Sequence, residues 1–241
     1  MRSAMLIAGA EFTLLYRHRM TLAMGAILPV ALGLLILWAE ADSGRAGSGT
    51  AAGLVLVTLI TLTAYVSGTT ILAGRRQQSV LRRLRTSGAS DTAILVGSLA
   101  PSALLTVVQA GFLLGLVMAS GGSLPVDLAP LLLAVVTGVV AGCGLAALTA
   151  AFTSAPELAQ LTTTPIGVAF LGGAMWVMRT PPDEVTWSML ALPGGAVTQL
   201  ARMAWQVPGA TGLVPAATSL VITAVLAVVV AVRVFVWDLR R

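Results

Sequence analysis

Few side chains in this sequence are suited to covalent or acid–base chemistry. Its one cysteine, Cys143, lies inside an apolar run, and its one histidine, His18, stands between Arg17 and Arg19. A metal site or a cysteine–histidine catalytic pair cannot be assembled from one residue of each type. No carboxylate lies near the centre of a long apolar run, so paired acids for acid–base chemistry or proton transport are missing. An enzyme is therefore the weakest of the possible functions.

The basic residues of the chain also exclude one way of binding nucleotide. All fourteen are arginines, and a P-loop requires a lysine to reach the phosphates of ATP. Any ATP hydrolysis must therefore come from another polypeptide. We expect no cofactor and no metal ion in this chain.

Neutral polar side chains do occur within the apolar runs. The simplest interpretation is that they bond to neighbouring helices or to carbonyl groups of their own helix. The alternative is that some of them line a path for a substrate. Glu157, at the start of an apolar run, is interpreted as a favourable charge at a helix N-terminus rather than as part of a gate. The candidates for a substrate path are Thr61, Tyr65, Gln109 and Thr164.

The composition of the chain indicates an integral membrane protein. Hydrophobic residues make up 57% of its 241 residues, charged residues make up 10%, and the mean hydropathy is +0.96. This leaves too little polar surface to cover a water-soluble protein. The apolar runs are long and continuous, which favours spanning helices over the alternating strands of a barrel. The fold class predicted is therefore all-α, with the whole chain forming a single transmembrane domain.

Six apolar runs have about the length that a bilayer requires. Residues 2–19 mix apolar and charged side chains, and we predict an amphipathic elbow helix at the membrane interface. Residues 179–210 are interrupted by Pro193, Gly194 and Gly195, so we interpret this region as a pair of short interfacial or re-entrant helices. The predicted spans are about 21–39, 51–73, 92–119, 128–152, 157–178 and 212–235.

Prolines and glycines within these runs predict local features of the spans. Pro29 is expected to kink the first span, and Pro165 is expected to kink or locally unwind the fifth. Two pairs of glycines spaced four apart would permit close approach of helices, although each pair is a weak signal. These pairs are Gly111 with Gly115 and Gly138 with Gly142.

The arginines predict which way the chain lies in the membrane. Six spans place both termini on one side, and eleven of the fourteen arginines then lie on that side. Because basic residues accumulate in cytoplasmic segments, both termini are predicted to be cytoplasmic, in a plasma or inner membrane. The net charge of +5 is thus explained by topology, and no binding of nucleic acid is expected.

The longest charged segment between two apolar runs covers residues 74–90. It carries five arginines and no acidic residue, while Val80, Leu81 and Leu84 fall at the spacing of one helix face. This pattern predicts a short amphipathic helix on the cytoplasmic side of the membrane. Its apolar strip would bind either lipid headgroups or a partner protein.

The order of these elements resembles the ABC-2 family of ABC transporter permeases over the whole chain. Residues 75–89 look like the coupling segment of that family, with Leu81, Arg83, Leu84 and Arg85 at matching positions. The sequence WSMLALPGGAVTQLARMAW, which begins at Trp187, is similar to the outer segment of the family with its Leu-Pro step. Several residues depart from the acidic, glycine and proline positions of the usual coupling motif, namely Gln77, Gln78, Ser79 and Gly88.

The resemblance implies an exporter permease that works with a separate ATPase subunit, which binds ATP and magnesium. It also implies a second copy of the permease, or a related permease, and a cargo such as a drug, a lipid or another amphipathic molecule, as in multidrug efflux and antibiotic resistance. The alternative is a non-transporting scaffold or sensor anchor whose basic helix binds membrane lipids. The residues expected to contact the ATPase subunit are Arg75, Arg76, Gln78, Val80, Leu81, Arg82, Leu84 and Arg85.

Overall fold

The structure, a computed structural model, describes residue 9 and residues 23–42, 48–78, 80–81, 90–119, 124–208 and 210–235. Within these ranges every regular element is a helix and there is no strand. The predicted elbow helix lies outside the described residues except for Gly9, and so do Arg82, Leu84 and Arg85 of the predicted coupling segment. The helices are α1 (Leu28–Asp42), α2 (Gly49–Gln77), α3 (Asp91–Ala119), α4 (Leu128–Phe152), α5 (Ala159–Arg179), α6 (Trp187–Leu190), α7 (Pro193–Ala204) and α8 (Leu213–Val234).

Five of these helices are long and apolar enough to cross a membrane, namely α2, α3, α4, α5 with the 3-10 turn Pro156–Leu158 before it, and α8. The first predicted span corresponds to a shorter apolar helix, Gly25–Ala41, which includes a π-helical turn before α1. α1 continues to Asp42, beyond the predicted end of the span at residue 39, and Glu40 in this extension is buried. A sixth spanning helix is therefore not established by the described residues.

Two π-helical stretches occur among the described residues. One is Ala23–Ile27, which ends two residues before Pro29, and the other is Ile60–Ser67, in the middle of α2. Pro29 explains the first, because its ring clashes with the carbonyl four residues before it. In contrast, where a kink or local unwinding was expected at Pro165, α5 is a continuous α-helix without local unwinding.

Burial distinguishes the central helix of the bundle from the peripheral ones. In the most apolar part of each helix, 78% of the residues of α2 are buried, against 28% for the span that contains α5 and 22% for α8. Large apolar side chains on the outer helices are exposed, including Leu161 at 73% and Val214 at 73%. Water would make such an exposed apolar surface unfavourable. Contact with lipid or with another protein removes this surface from water. α2 is therefore the element around which the other helices pack.

Helix α7 lies inside the bundle rather than across its end. A Cβ atom added to Gly53 of α2 would stand 2.8 Å from the Cα of Thr198, so these two backbones are almost in contact. At the start of α7, a Cβ on Gly194 would overlap the carbonyl oxygen of Phe170, which lies in the middle of α5. Glycine permits this approach because it has no side chain. α7 thus enters the bundle to about half the depth of α5.

The two predicted glycine pairs have different surroundings. Gly138 and Gly142 face α2, where added Cβ atoms would meet the side chains of Ile60 and Ala64 at 2.6 and 3.0 Å. Gly111 and Gly115 of α3 are exposed and have nothing within 4 Å of such an atom. Only the first pair therefore brings two described helices close together.

Substituting Gly194 by Ala is expected to destabilise the protein by about 1–3 kcal/mol, because the new methyl group would collide with backbone rather than with a mobile side chain. Thermal unfolding of the detergent-solubilised protein measures this as a lower midpoint. Gly172→Ala is the matched control on α5, since nothing lies within 4 Å of its added Cβ. Equal midpoints for the two variants would contradict the close packing of α7 on α5.

Candidate functional site

Arg76 joins the last turn of α2 to the end of α4. Its side chain is 5% exposed, and it donates hydrogen bonds to the carbonyl oxygens of Ala151 at 2.7 Å and Thr153 at 2.6 Å. These carbonyls belong to the last turn of α4 and its cap, which have no partners within the helix. A cation at a helix C-terminus is also favoured by the helix dipole. The contact therefore makes the ends of α2 and α4 one mechanical unit.

Leu81 belongs to an apolar cluster at the same end of the bundle, which we call the basic end because Arg75, Arg76 and Arg233 lie there. The side chain of Leu81 is fully buried among residues that include Tyr65, Leu72 and Ile94. The chain that leaves α2 therefore folds back onto the bundle at Leu81.

These positions separate the five described members of the predicted ATPase-contact set into two groups. Arg76 and Leu81 are directed into the chain and are bound there. Gln78 is exposed, and Arg75 and Val80 are half-buried, so a partner can reach these three. The spacing of Val80, Leu81 and Leu84 indicated an apolar face but could not indicate that Leu81 packs on the protein itself while Val80 stays accessible.

A series of hydroxyl groups continues from α2 across the basic half of the bundle. The Tyr65 hydroxyl lies 3.0 Å from the Thr149 hydroxyl, and the Tyr65 ring stacks on Phe170 with centroids 6.3 Å apart. The hydroxyl of Thr153 donates to the carbonyl of Thr149 at 2.8 Å and lies 2.8 Å from the hydroxyl of Thr162. Tyr65 is fully buried, so this polar series connects α2, α4 and α5 rather than facing a path.

Gln109 completes the hydrogen bonding that Pro29 disturbs. A proline has no N–H, so the helix cannot bond the carbonyl of Gly25, four residues before it. The amide nitrogen of Gln109 donates instead to Gly25 at 3.2 Å and to Ala26 at 3.0 Å. Its amide oxygen accepts from the hydroxyl of Thr63 at 2.8 Å, in the π-helical part of α2. Gln109 is thereby the polar joint between the two π-helical turns.

The four candidates for a substrate path are not connected by hydrogen bonds to one another. Thr61 is buried and donates to the carbonyl of Val57 in its own helix at 2.7 Å. Tyr65 and Gln109 are buried with the partners described above. Thr164 is exposed on α5 and donates to the carbonyl of Gln160 at 2.7 Å. Of the four, only Thr164 is open to a neighbouring subunit or a cargo molecule in this conformation.

At the opposite end of the bundle, Arg202 binds helix-end carbonyls as Arg76 does at the basic end. Arg202 was not among the residues predicted from the sequence. It is 3% exposed and donates to the carbonyls of Met178 at 3.0 Å and Thr180 at 3.2 Å, at the end of α5. Its third bond reaches the hydroxyl of Thr50 in α2 at 3.1 Å. Burial lowers the pKa of Arg202, yet an arginine stays protonated in proteins. The sequence feature that could have indicated this role is that Arg202 is a single arginine within an apolar segment that contains glycine.

The geometry supplies interhelical joints rather than reactive groups. Among the residues that the structure describes, no three potential metal ligands of the His, Cys, Asp or Glu types lie together. What the arrangement provides is a pair of arginine contacts that hold the helix ends and a polar joint in the middle of the bundle. Because these contacts tie helix ends together, a displacement of one helix end would be carried to its partner.

These features define the class of protein as a multi-pass helical membrane protein with a basic end. A family model described as ABC-2 family transporter protein matches residues 20–233, and the chain belongs to that family. Membership makes it a membrane component of an ABC transporter, a class of subunit that is typically non-catalytic. No curated protein and no solved structure matches the chain significantly.

Replacing Arg202 by Met is expected to destabilise the protein by about 2–4 kcal/mol, because two helix-end carbonyls and Thr50 lose a charged donor. The measurement is the thermal unfolding midpoint in detergent. Arg202→Lys should recover only part of this loss, since one ammonium cannot reproduce the geometry of three guanidinium bonds. Arg179→Met is the control, because Arg179 is exposed in the last turn of α5. An unfolding midpoint of Arg202→Met equal to that of Arg179→Met would refute a stabilising role for the three Arg202 bonds.

Replacing Gln109 by Leu is expected to destabilise the protein by about 1–3 kcal/mol, because the carbonyls of Gly25 and Ala26 lose their amide donor in an apolar environment and Gly25 keeps only the 3.4 Å bond from the Thr63 hydroxyl. The same unfolding experiment measures the loss. Thr164→Val removes a hydroxyl that is exposed and bonded only to its own helix, so its effect should stay within about 0.5 kcal/mol. The joint has no structural role if Gln109→Leu is as stable as Thr164→Val.

Proposed function

We propose that this chain is the permease subunit of an ATP-driven exporter and that a separate ATPase subunit docks on residues 75–89. ATP and magnesium would be held by that partner. The observation that carries the proposal is the Arg76 contact, which fixes the end of α2 to the end of α4 directly beside the accessible Gln78 and Val80. A force applied at this surface would reach two long helices at once.

The route of such a force follows from the packing at the basic end. Leu81 belongs to the same buried cluster as Tyr65 and Leu72 of α2 and Ile94 of α3, so displacement of Leu81 would press through this cluster on both helices. A short, packed connection transmits displacement, whereas a long flexible loop would absorb it. Arg76 would carry the same displacement to α4. The basic end is therefore suited to receive the motion of an ATPase.

A second permease subunit, identical or related, would complete the transport path. α5 is largely exposed, and its outward side carries Gln160 and Thr164 together with Leu161 and Val168. Amide and hydroxyl groups on an otherwise apolar helix are better suited to a path between subunits than to lipid. We propose that Thr164 faces this path, while Thr61, Tyr65 and Gln109 could take part only if the helices separate.

The mixture of side chains on α5 suggests the chemical class of the cargo. Leu161 and Val168 would contact apolar parts of a molecule, and Gln160 and Thr164 would bind its polar groups. An amphipathic drug or lipid has both properties. We propose export as the direction of transport because of the family resemblance. We propose that both termini lie in the cytoplasm because of the distribution of arginines.

Replacing both Gln78 and Val80 by Asp is expected to abolish recovery of the ATPase subunit, because two carboxylates would stand at the accessible part of the docking surface. The tagged chain is purified in mild detergent from the cells that naturally produce it. Mass spectrometry then identifies an ABC ATPase, and the eluate is assayed for ATP hydrolysis. The wild-type chain should bring both the subunit and the activity.

The matched control changes the same residue types at the opposite end of the bundle. Gln206 is exposed and Val207 is half-buried, as Gln78 and Val80 are. Gln206→Asp with Val207→Asp should leave recovery of the ATPase unchanged. Equal recovery with both double variants would overturn docking at residues 75–89. The absence of any ATPase from the wild-type eluate would favour a scaffold that binds lipid through its basic helix.

A further inference from the structure

The middle of α2 accommodates an extra residue. In a π-helix each backbone bond spans five residues instead of four, so a π-helical turn contains about one residue more than an α-helical turn. Ile60–Ser67 has this geometry. The hydroxyl of Ser67 follows it too, because it donates at 3.1 Å to the carbonyl of Leu62, five residues before it. Other hydroxyl groups of α2 donate to carbonyls four residues before them, namely those of Thr58, Thr61, Thr69 and Thr70.

Hydrogen bonds from neighbouring elements hold this π-helical stretch in place. The hydroxyl of Thr63 donates to the amide oxygen of Gln109 in α3 at 2.8 Å, and it lies 3.4 Å from the carbonyl oxygen of Gly25. The hydroxyl of Tyr65 lies 3.0 Å from that of Thr149 in α4. Because π-helical turns are rare, a stretch of this length requires contacts that favour it. Side chains make these contacts, so the bonds can break and form again without unfolding either helix.

The parts of α2 on either side of this stretch are packed differently. We call Gly49–Leu59 the outer half of α2 and Gly68–Gln77 its basic half. Cβ atoms added to Gly49 and Gly53 in the outer half would meet backbone atoms of α7 at 2.7 and 2.8 Å. A Cβ added to Gly68 in the basic half would meet only side-chain atoms of α3 and α4, at 3.0 and 3.1 Å. Backbone contacts therefore fix the outer half, whereas the neighbours of the basic half can adjust.

A change in the π-helical stretch would move the basic half and its arginine. One residue of an α-helix corresponds to about 1.5 Å along the axis and about 100° around it. If the extra residue passed into regular α-helix, the basic half would advance by this amount while the outer half stayed on α7. Arg76, which binds the carbonyls of Ala151 and Thr153 in the present register, would turn away from the end of α4. The π-helical stretch and the Arg76 contact are thus linked.

We propose that Ile60–Ser67 is a register switch in α2. In one state, which is the state of this structure, the π-helical stretch holds the extra residue and Arg76 is bound to the end of α4. In the other state α2 is α-helical throughout, and its basic half has advanced by one residue toward the basic end. The switch does not depend on the proposed docking of an ATPase, because the contacts that carry it lie within the chain.

The first test is deletion of Leu62 in the full-length protein. Without the extra residue both halves of α2 can keep their contacts, so the thermal unfolding midpoint in detergent should fall by less than about 3 °C. Deletion of Val168 is the control, because it removes one exposed residue from the middle of α5, a regular α-helix. The contact of Gly173 with Gly195 of α7 would then be lost, and the midpoint should fall by about 10 °C or more. Equal falls would overturn the extra residue.

Hydrogen–deuterium exchange of the wild-type protein in detergent tests whether the two states interconvert. Amides of Ile60–Ser67 should exchange about tenfold faster than those in the middle of α4. Burial alone predicts the opposite order, since 78% of the most apolar part of α2 is buried against 56% for α4. Deletion of Leu62 should remove the difference, because no extra residue remains to change place. Exchange in Ile60–Ser67 that is as slow as in α4, or that the deletion leaves unchanged, would contradict the switch.

Substitution of the two buried arginines distinguishes a change of register from local opening of the π-helical stretch. Arg76→Gln removes charged bonds that exist in only one state, so exchange in Ile60–Ser67 should rise about fivefold. Arg202→Gln is the matched control, because Arg202 also binds two helix-end carbonyls but ties the outer half, which stays on α7 in both states. It should leave exchange in Ile60–Ser67 unchanged. Equal effects of the two substitutions on this stretch would rule out the proposed link.

Discussion

The structure depends on two buried arginines that bind the unsatisfied carbonyls at the ends of helices. A helix C-terminus within or beside a membrane has several carbonyl groups without partners, and lipid offers none. Arg76 supplies donors to the end of α4, and Arg202 supplies them to the end of α5. Each arginine comes from a different element than the helix it caps. The same bonds that satisfy the carbonyls therefore determine which helices are neighbours.

The two arginines fix the two ends of the central helix α2 to different neighbours. The first half of α2 is held to α7 and α5 through Thr50, and the last turn is held to α4 through Arg76. Between these fixed ends lies the π-helical stretch Ile60–Ser67, where the hydrogen-bond pattern is already irregular. π-helical turns are frequently found at functional positions. The bundle thus consists of two tied ends with a less regular middle, which is a reasonable construction for a subunit that changes shape.

Much of the fold follows from the sequence because a long apolar run has few alternatives to a helix. The runs at 128–152 and 212–235 lie on α4 and α8, and the family was predictable from the order of the elements. The partners of individual polar residues were not predictable, since they depend on which helix ends meet. The charge of Arg76 indicated a surface, yet its burial depends on the position of the α4 terminus.

In the candidate site too, the sequence predicted the residue types but not their partners. Thr61 and Thr164 were indistinguishable as hydroxyls in apolar runs, but packing makes one internal and leaves the other open. Periodicity identifies the apolar side of a helix and does not show whether lipid, another subunit or the same chain covers it. Leu81 illustrates this, because the chain itself buries Leu81 while Val80 of the same apolar strip stays half-exposed. The missing information is the arrangement of helices, which no single segment contains.

The pairing of Pro29 with Gln109 has a consequence for the history of the chain. The proline removes an amide hydrogen from one helix, and a side chain eighty residues later replaces it. Each residue depends on the other, because a glutamine amide in an apolar bundle needs an acceptor and the proline leaves the carbonyl of Gly25 without its helical donor. Related sequences should therefore change these two positions together, and a lineage that regains an ordinary residue at position 29 should be free to lose the amide at position 109.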